Sequence, residues 1–234
     1  MNLADKSYAY IRKQLFSGVF QPGSRLVNRT LAGEIGVSVI PVREALNRLA
    51  SEGLVDQIAG EGVFVRVVDC DELDQMYVLR DALESCAASE AAAQRTVEHL
   101  LRLEASLAEA WEIAGEILSS SNGHATHQQF DRWLENELQF HALLIEAAQN
   151  KLLARVINEQ RAICEVFESQ RNRPEILTVE IAKLTCEGKA ELVQAIEAGD
   201  AERARQLVSA QIQRGRRFML AFLRSESENG LDCR

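Results

Sequence analysis

The sequence predicts a mainly α-helical protein: a short front segment of three helices and a β-hairpin, then an antiparallel bundle of six to seven helices. Three observations carry that reading. Before residue 69, glycine and proline punctuate short elements, at Gly18, Pro22, Gly23, Gly33, Gly36, Pro41, Gly53, Gly60 and Gly62. After it, Leu, Ala, Glu and Gln recur with helical three-to-four spacing in long uninterrupted segments. The charge divides at the same place. Residues 1–68 hold eight Lys/Arg against six Asp/Glu, whereas 69–234 hold eighteen against twenty-nine, so the net charge of −9 is an acidic body behind a mildly basic head. Two domains follow, 1–68 and 69–234, joined through Val67–Asp71.

The front elements each have a local cause. Ala4–Ser17 sets Tyr8, Ile11 and Leu15 on one helical face and stops at Gly18. The stretch FQPGSRL turns into a short extended piece. Asn28 is placed to cap a second helix holding Leu31, Ala32 and Ile35, closed by Gly36. Ser38 is placed to cap a third, with Val42, Leu46 and Leu49 on its apolar face and Pro41 tolerated in its first turn. LVDQIA and VFVRV flank the turn Gly60, Glu61 and Gly62, which reads as a hairpin. In the second half, helices are expected over 71–94, 96–118, 127–149, 151–172, 175–198 and 200–224. They are broken at the SSSNGHAT loop, Asn150, Pro174 and the Gly199–Asp200 pair. Short connections between amphipathic helices imply antiparallel packing.

Composition excludes several classes. With 234 residues and 47% hydrophobic content the chain can bury real cores. No apolar run approaches the roughly 20 residues of a membrane helix. The opening residues MNLADKSYAYIRK lack an export signal's apolar stretch. Five scattered cysteines without a CxxC pair read as thiols in a reducing cytoplasm. No phosphate loop, GxSxG elbow or HExxH is present, so an enzyme is not expected. The pair His124 and His127, in a polar loop, is read as exposed.

Helix, glycine turn, amphipathic helix and hairpin is the order of a winged helix-turn-helix. Its second helix can lie in the major groove, about 12 Å wide, and read base edges with its amino-terminal side chains. The pieces "SGVFQPGSRL", "LAGEIGVS", "PVREALNRLASEGLV" and "GEGVFV", in order and correctly spaced over residues 4–67, resemble the DNA-binding domain of the GntR family of bacterial regulators. The resemblance implies double-stranded DNA as partner, touched by Arg29 and Thr30 before the turn, by Ser38, Val39, Ile40, Pro41, Arg43 and Arg48 on the recognition helix, and by Gly60, Glu61 and Gly62 in the wing. Arginine can fork onto guanine or grip phosphate; for Arg43 an ion pair with Glu44 or Asp56 is the alternative. Many relatives carry Arg and Thr where this chain has Val39 and Ile40. That departure removes a guanine contact worth roughly 1–3 kcal/mol of discrimination. The apolar pair either meets a thymine methyl or packs on the domain.

In the second half, "YVLRDALESCAASEAA", "ELQFHALLIEAAQNKLL" and "KAELVQAIEAGDAERARQLVSAQI" resemble the all-helical FCD-type ligand-binding domain of the FadR subfamily, over about residues 70–225. The resemblance implies a homodimer, a palindromic operator and a small effector, commonly an organic acid. Many members hold a divalent metal through one Asp and three His. Those positions correspond here to Glu137, His141, Lys189 and Gln211. A protonated lysine offers no lone pair and an amide is a poor substitute for imidazole. No cofactor is therefore expected, and Lys189 is read as standing where the cation lies, holding a ligand carboxylate with His141 and Gln211. Arg80 is a further candidate for an anionic ligand, its alternative being an intrahelical pair with Glu84. Two other readings stay open: a metal-dependent sensor using Glu137 and His141, and a DNA binder without a ligand.

Overall fold

Three apolar faces close the front of the chain. The computed structural model describes residues 2–67, 69–120, 123–159 and 174–228. Helix α1 (Leu3–Phe16) buries Ser7, Ile11 and Leu15. Helix α2 (Asn28–Ile35) buries Leu31, Ala32 and Ile35. Helix α3 (Val39–Ser51) buries Pro41, Val42, Ala45, Leu46 and Leu49. These meet Leu26, Leu54, Val55 and Val65 in one core. Each fully buried aliphatic side chain contributes about 1.5–3 kcal/mol, which makes that core the main source of the unit's stability.

The hairpin consists of β2 (Val55–Ile58) and β3 (Gly62–Val65), antiparallel, with Val55 opposite Val65 and Ile58 opposite Gly62. The short extended piece is a strand in its own right. β1 (Arg25–Leu26) pairs with β3, giving a three-stranded antiparallel sheet in the order β1-β3-β2. Sequence patterning does not reveal that pairing, because a two-residue strand has no period.

Two caps differ from expectation. Asn28 is the first residue of α2, not its cap; Val27 holds that position and makes no side-chain cap bond. Ser38 is the cap residue of α3, but its side chain bonds no amide of the first turn. Gly36 closes α2 in the left-handed region at φ 74°, the conformation that lets the chain turn within three residues into α3.

The chain divides into two compact units between Leu73 and Asp74, within the first turn of α4 (Cys70–Gln94). Then come α5 (Val97–Leu118), α6 (His127–Ala147), a helix described over 151–159 (α7), α8 (Val179–Ala198) and α9 (Ala201–Glu228). The expected helix over 151–172 lies outside the described residues beyond 159. The helix expected from 175 begins only at Val179, because Pro174–Ile176 forms a 3-10 turn and Thr178 caps α8 through its side chain onto the Ile181 amide. Thr96 and Thr126 head α5 and α6 with reciprocal capping boxes, using His99 and Gln129 as the third-position partners. Helix α5 packs on both α6 and α8, and α9 packs on α8. Among the described residues no helix is long and apolar enough to cross a membrane.

Candidate functional sites

The amino end of α3 carries an exposed face. Arg29, Thr30, Ser38 and Arg43 are exposed, and Arg43 makes no ion pair with Glu44 or Asp56. The structure separates the two apolar residues. Val39 is half-buried and packs against the front core, whereas Ile40 is 69% exposed. Pro41 is buried, so it shapes the first turn and presents little surface. Arg48, in the last turn, is held within the domain. Its guanidinium lies 3.8 Å from the centroid of the Tyr8 ring, its Nε donates to Glu52 at 3.1 Å, and Asp5 lies 3.8 Å away. Tyr8 in turn donates its hydroxyl to Glu52 at 2.7 Å. Burial beside that carboxylate raises the Tyr8 pKa. The wing tip residues Gly60, Glu61 and Gly62 lie at the end of the hairpin, with Gly60 at φ 80° and Gly62 at φ 126°.

A second cluster is built by α4, α6, α8 and α9. On α6, Trp133, Asn136 and Phe140 follow helical spacing and are buried. Glu137 and His141 lie one turn apart on the flank of that stripe, 24% and 20% exposed at the side chain. Lys189 on α8 is 2% exposed. Its ammonium sits 2.7 Å from Glu137 Oε1, donates to Asn136 Oδ1 at 3.1 Å, and lies 4.6 Å from the Phe140 ring centroid and 5.8 Å from that of Trp133. A buried cation is costly unless paired and bonded; here a carboxylate, an amide oxygen and two aromatic faces replace its water. Asn136 extends the network to α5, donating to the Ser106 carbonyl at 2.8 Å and to Glu109 at 3.0 Å.

His141 stands between two acids. Its Nδ1 is 3.6 Å from Glu84 Oε2 and its Nε2 is 3.9 Å from Glu137 Oε2. Glu84 is 2% exposed and takes a bond from Arg80 Nε at 3.0 Å. Arg80 therefore forms the intrahelical pair and joins the cluster through Glu84. Gln211 on α9 lies against Gly188, where an added Cβ would stand 3.1 Å from its Nε2. That nitrogen is buried without a hydrogen-bond partner. Cys186, one turn before Lys189, is fully buried and desolvation pushes its thiol up to about 11. Among the described residues no three His, Cys, Asp or Glu side chains are grouped as a metal ion's ligands would be.

Sequence reasoning named Glu137, His141, Lys189, Arg80 and Gln211, and the structure brings the first four into one network of charge. It missed Asn136. The signal was present, since Asn136 is a polar residue on the stripe that runs from Trp133 to Phe140. It also missed that Glu84 links Arg80 to His141. The loop histidines differ from expectation in part. His127 is exposed, but His124 is half-buried, because its backbone bridges Thr178 and its ring nitrogen lies 3.1 Å from the Ala125 carbonyl.

Two family models match the chain. Residues 3–65 match the family model for bacterial regulatory proteins of the gntR family, and residues 75–214 match the FCD domain. The Nta operon transcriptional regulator of Aminobacter aminovorans is 33% identical over 138 residues, 59% of this chain and 60% of that protein's length. Among solved structures, Escherichia coli McbR/YncC superposes with a TM-score of 0.76 at 22% identity, covering 95% of this chain and 99% of the other. A GntR transcriptional regulator from Rhodococcus sp. RHA1 gives 0.72 at 20% identity, over 93% and 97%. At such identities these two likenesses speak to the fold.

Proposed function

Because the chain belongs to the GntR family of bacterial regulatory proteins and carries an FCD domain, we propose that it is a homodimeric repressor released from a palindromic operator by a small carboxylate. It is a DNA-binding transcriptional regulator and not an enzyme. The finer reading concerns what it grips and what it senses.

For DNA, the support lies at the amino end of α3. Ser38 leaves the first-turn amides without a side-chain cap, and unsatisfied amides at a helix start favour phosphate. Arg29 and Arg43 are exposed beside it, and a twofold dimer would place two such faces on half-sites at fixed spacing. Arg48 plays a different part in this reading: its stacking on Tyr8, with the Tyr8 hydroxyl's bond to Glu52, ties the end of α3 to α1.

For the effector, the single observation that carries the reading is the buried ammonium of Lys189 at 2.7 Å from Glu137. The metal set of the family does not fit these residues. Lys189 has no lone pair to give, and the Gln211 atom that is buried without a partner is a donor nitrogen, not a lone pair for a metal. Instead the cluster holds its own cation beneath two partly exposed groups, Glu137 and His141. A ligand carboxylate entering past them can take Glu137's place on the ammonium while His141 and Gln211 Nε2 supply hydrogen bonds. Lys189 is already desolvated and held, so the ligand bears little ordering cost on the protein's side.

The test is thermal unfolding of protein stripped with a chelator, against a panel of small carboxylates. A ligand that binds only the folded form raises Tm by mass action, about 2.7 kcal/mol of stabilisation at a hundredfold excess over Kd. We expect stabilisation without metal, lost in Lys189→Met while that variant keeps its helical circular dichroism. Stabilisation that needs an added divalent ion, or survives in Lys189→Met, refutes the reading.

A further inference from the structure

The hairpin that forms the wing has a charge problem. From Val55 to Val65 it carries Asp56 and Glu61 and no Lys or Arg. A wing of charge −2 repels the phosphate backbone it is placed to meet. The cation has to come from outside the hairpin, and the sheet topology brings one. β1 pairs with β3 so that Arg25 stands opposite Phe64, and Leu26 opposite Val63. The Arg25 side chain runs along the wing onto Gly62: a Cβ at that glycine would meet Arg25 Nε at 3.0 Å and Nη2 at 3.3 Å. The guanidinium thus rests on the bare backbone next to the tip, where a side chain at 62 would displace it. Gly62 also adopts φ 126°, which L side chains rarely reach. Glycine is needed there for two separate reasons. Arg25 is exposed, and it forms no ion pair among the described residues.

We propose that Arg25 is the phosphate-gripping residue of the wing, lent by β1 to a hairpin that has no cation of its own. A planar guanidinium laid on the Gly62 backbone is pre-oriented, so less of its freedom is lost when it forks onto a phosphate. This assignment rests on the reading of the front unit as the DNA-binding element. Because phosphate is the same at every base pair, Arg25 contributes affinity and salt dependence but no sequence preference.

The experiment uses the full chain and a 30-base-pair duplex selected by it from a random pool, with affinity measured between about 50 and 200 mM salt. Each neutralised phosphate contributes about 0.9 to the slope of log K against log salt. We expect Arg25→Gln to flatten that slope by about 0.9 per bound chain. It should weaken the selected duplex and its single-base variants by the same factor. Arg25→Lys, which keeps the charge, should retain most of the slope. An unchanged slope in Arg25→Gln overturns the proposal, as does a loss confined to particular base pairs, which would make Arg25 a base reader. If the wild-type chain selects no duplex, the DNA-binding reading falls first and this assignment with it, so the two failures are told apart.

Discussion

At the residue scale, burial distinguishes neighbours of the same chemistry. Val39 and Ile40 are both aliphatic, adjacent and in the first turn of α3, yet one packs on the core and the other is 69% exposed. The exposed one presents the larger surface to a base. An isoleucine has no hydrogen bond to offer, so the partner that suits it is the C5-methyl of thymine. The expected outcome is that replacing one thymine in each of the two half-sites by uracil weakens the wild-type protein by about thirtyfold, roughly 1 kcal/mol for each of two buried methyl-sized contacts. Ile40→Ala should bind both duplexes alike; equal binding of both by the wild type would rule the contact out. This position was legible as a departure from the family pattern, but helix periodicity alone did not say which of the two side chains faces outward. The same holds for Asn136, whose place on a core stripe was visible in the sequence while its bond to Lys189 was not.

At the scale of elements, local chemistry sets most boundaries. Thr126 accepts from the Gln129 amide, and Gln129 returns a bond to the Thr126 amide. Thr126→Ala removes one half of that exchange and should cost about 1 kcal/mol, read as a lower urea midpoint at unchanged slope. A loss under a few tenths would mean that the cap contributes little to α6. Helix α8 shows the opposite case. Pro174 marks the break in the sequence, but the helix waits for Thr178 because Leu177 is buried and its carbonyl takes the Ala125 amide at 2.9 Å. A tertiary bond, not propensity, delays the start. β1 is another such element, made a strand only by its partner β3.

At the scale of the whole molecule, an effector can act only by binding more tightly to one state than to another. In the proposed mechanism the carboxylate favours the state that does not fit the operator. Linkage then requires that operator duplex weaken the carboxylate by the same factor that the carboxylate weakens the duplex, typically 5–150-fold. Titrating the ligand with and without the selected duplex by calorimetry measures it. A duplex that tightens carboxylate binding would reverse the sign and make the ligand a co-repressor. The charge division serves this arrangement, because the acidic second half repels DNA and leaves contact to the mildly basic front.

Sequence alone determined the order of elements and the texture that separates a winged front from a helical body. Those follow from periodicity, glycine placement and the chemistry of single residue types, all of which are local. The tertiary structure decided which charges meet. Glu84, His141, Glu137 and Lys189 come from three helices, and their pairing depends on packing angles that no spacing in one dimension encodes. It also decided that Arg25 lies on Gly62, since strand pairing joins residues 37 positions apart. Hydrogen bonds and close ion pairs need their partners within about 4 Å, so the groups that carry function here are those that folding, not sequence proximity, makes neighbours.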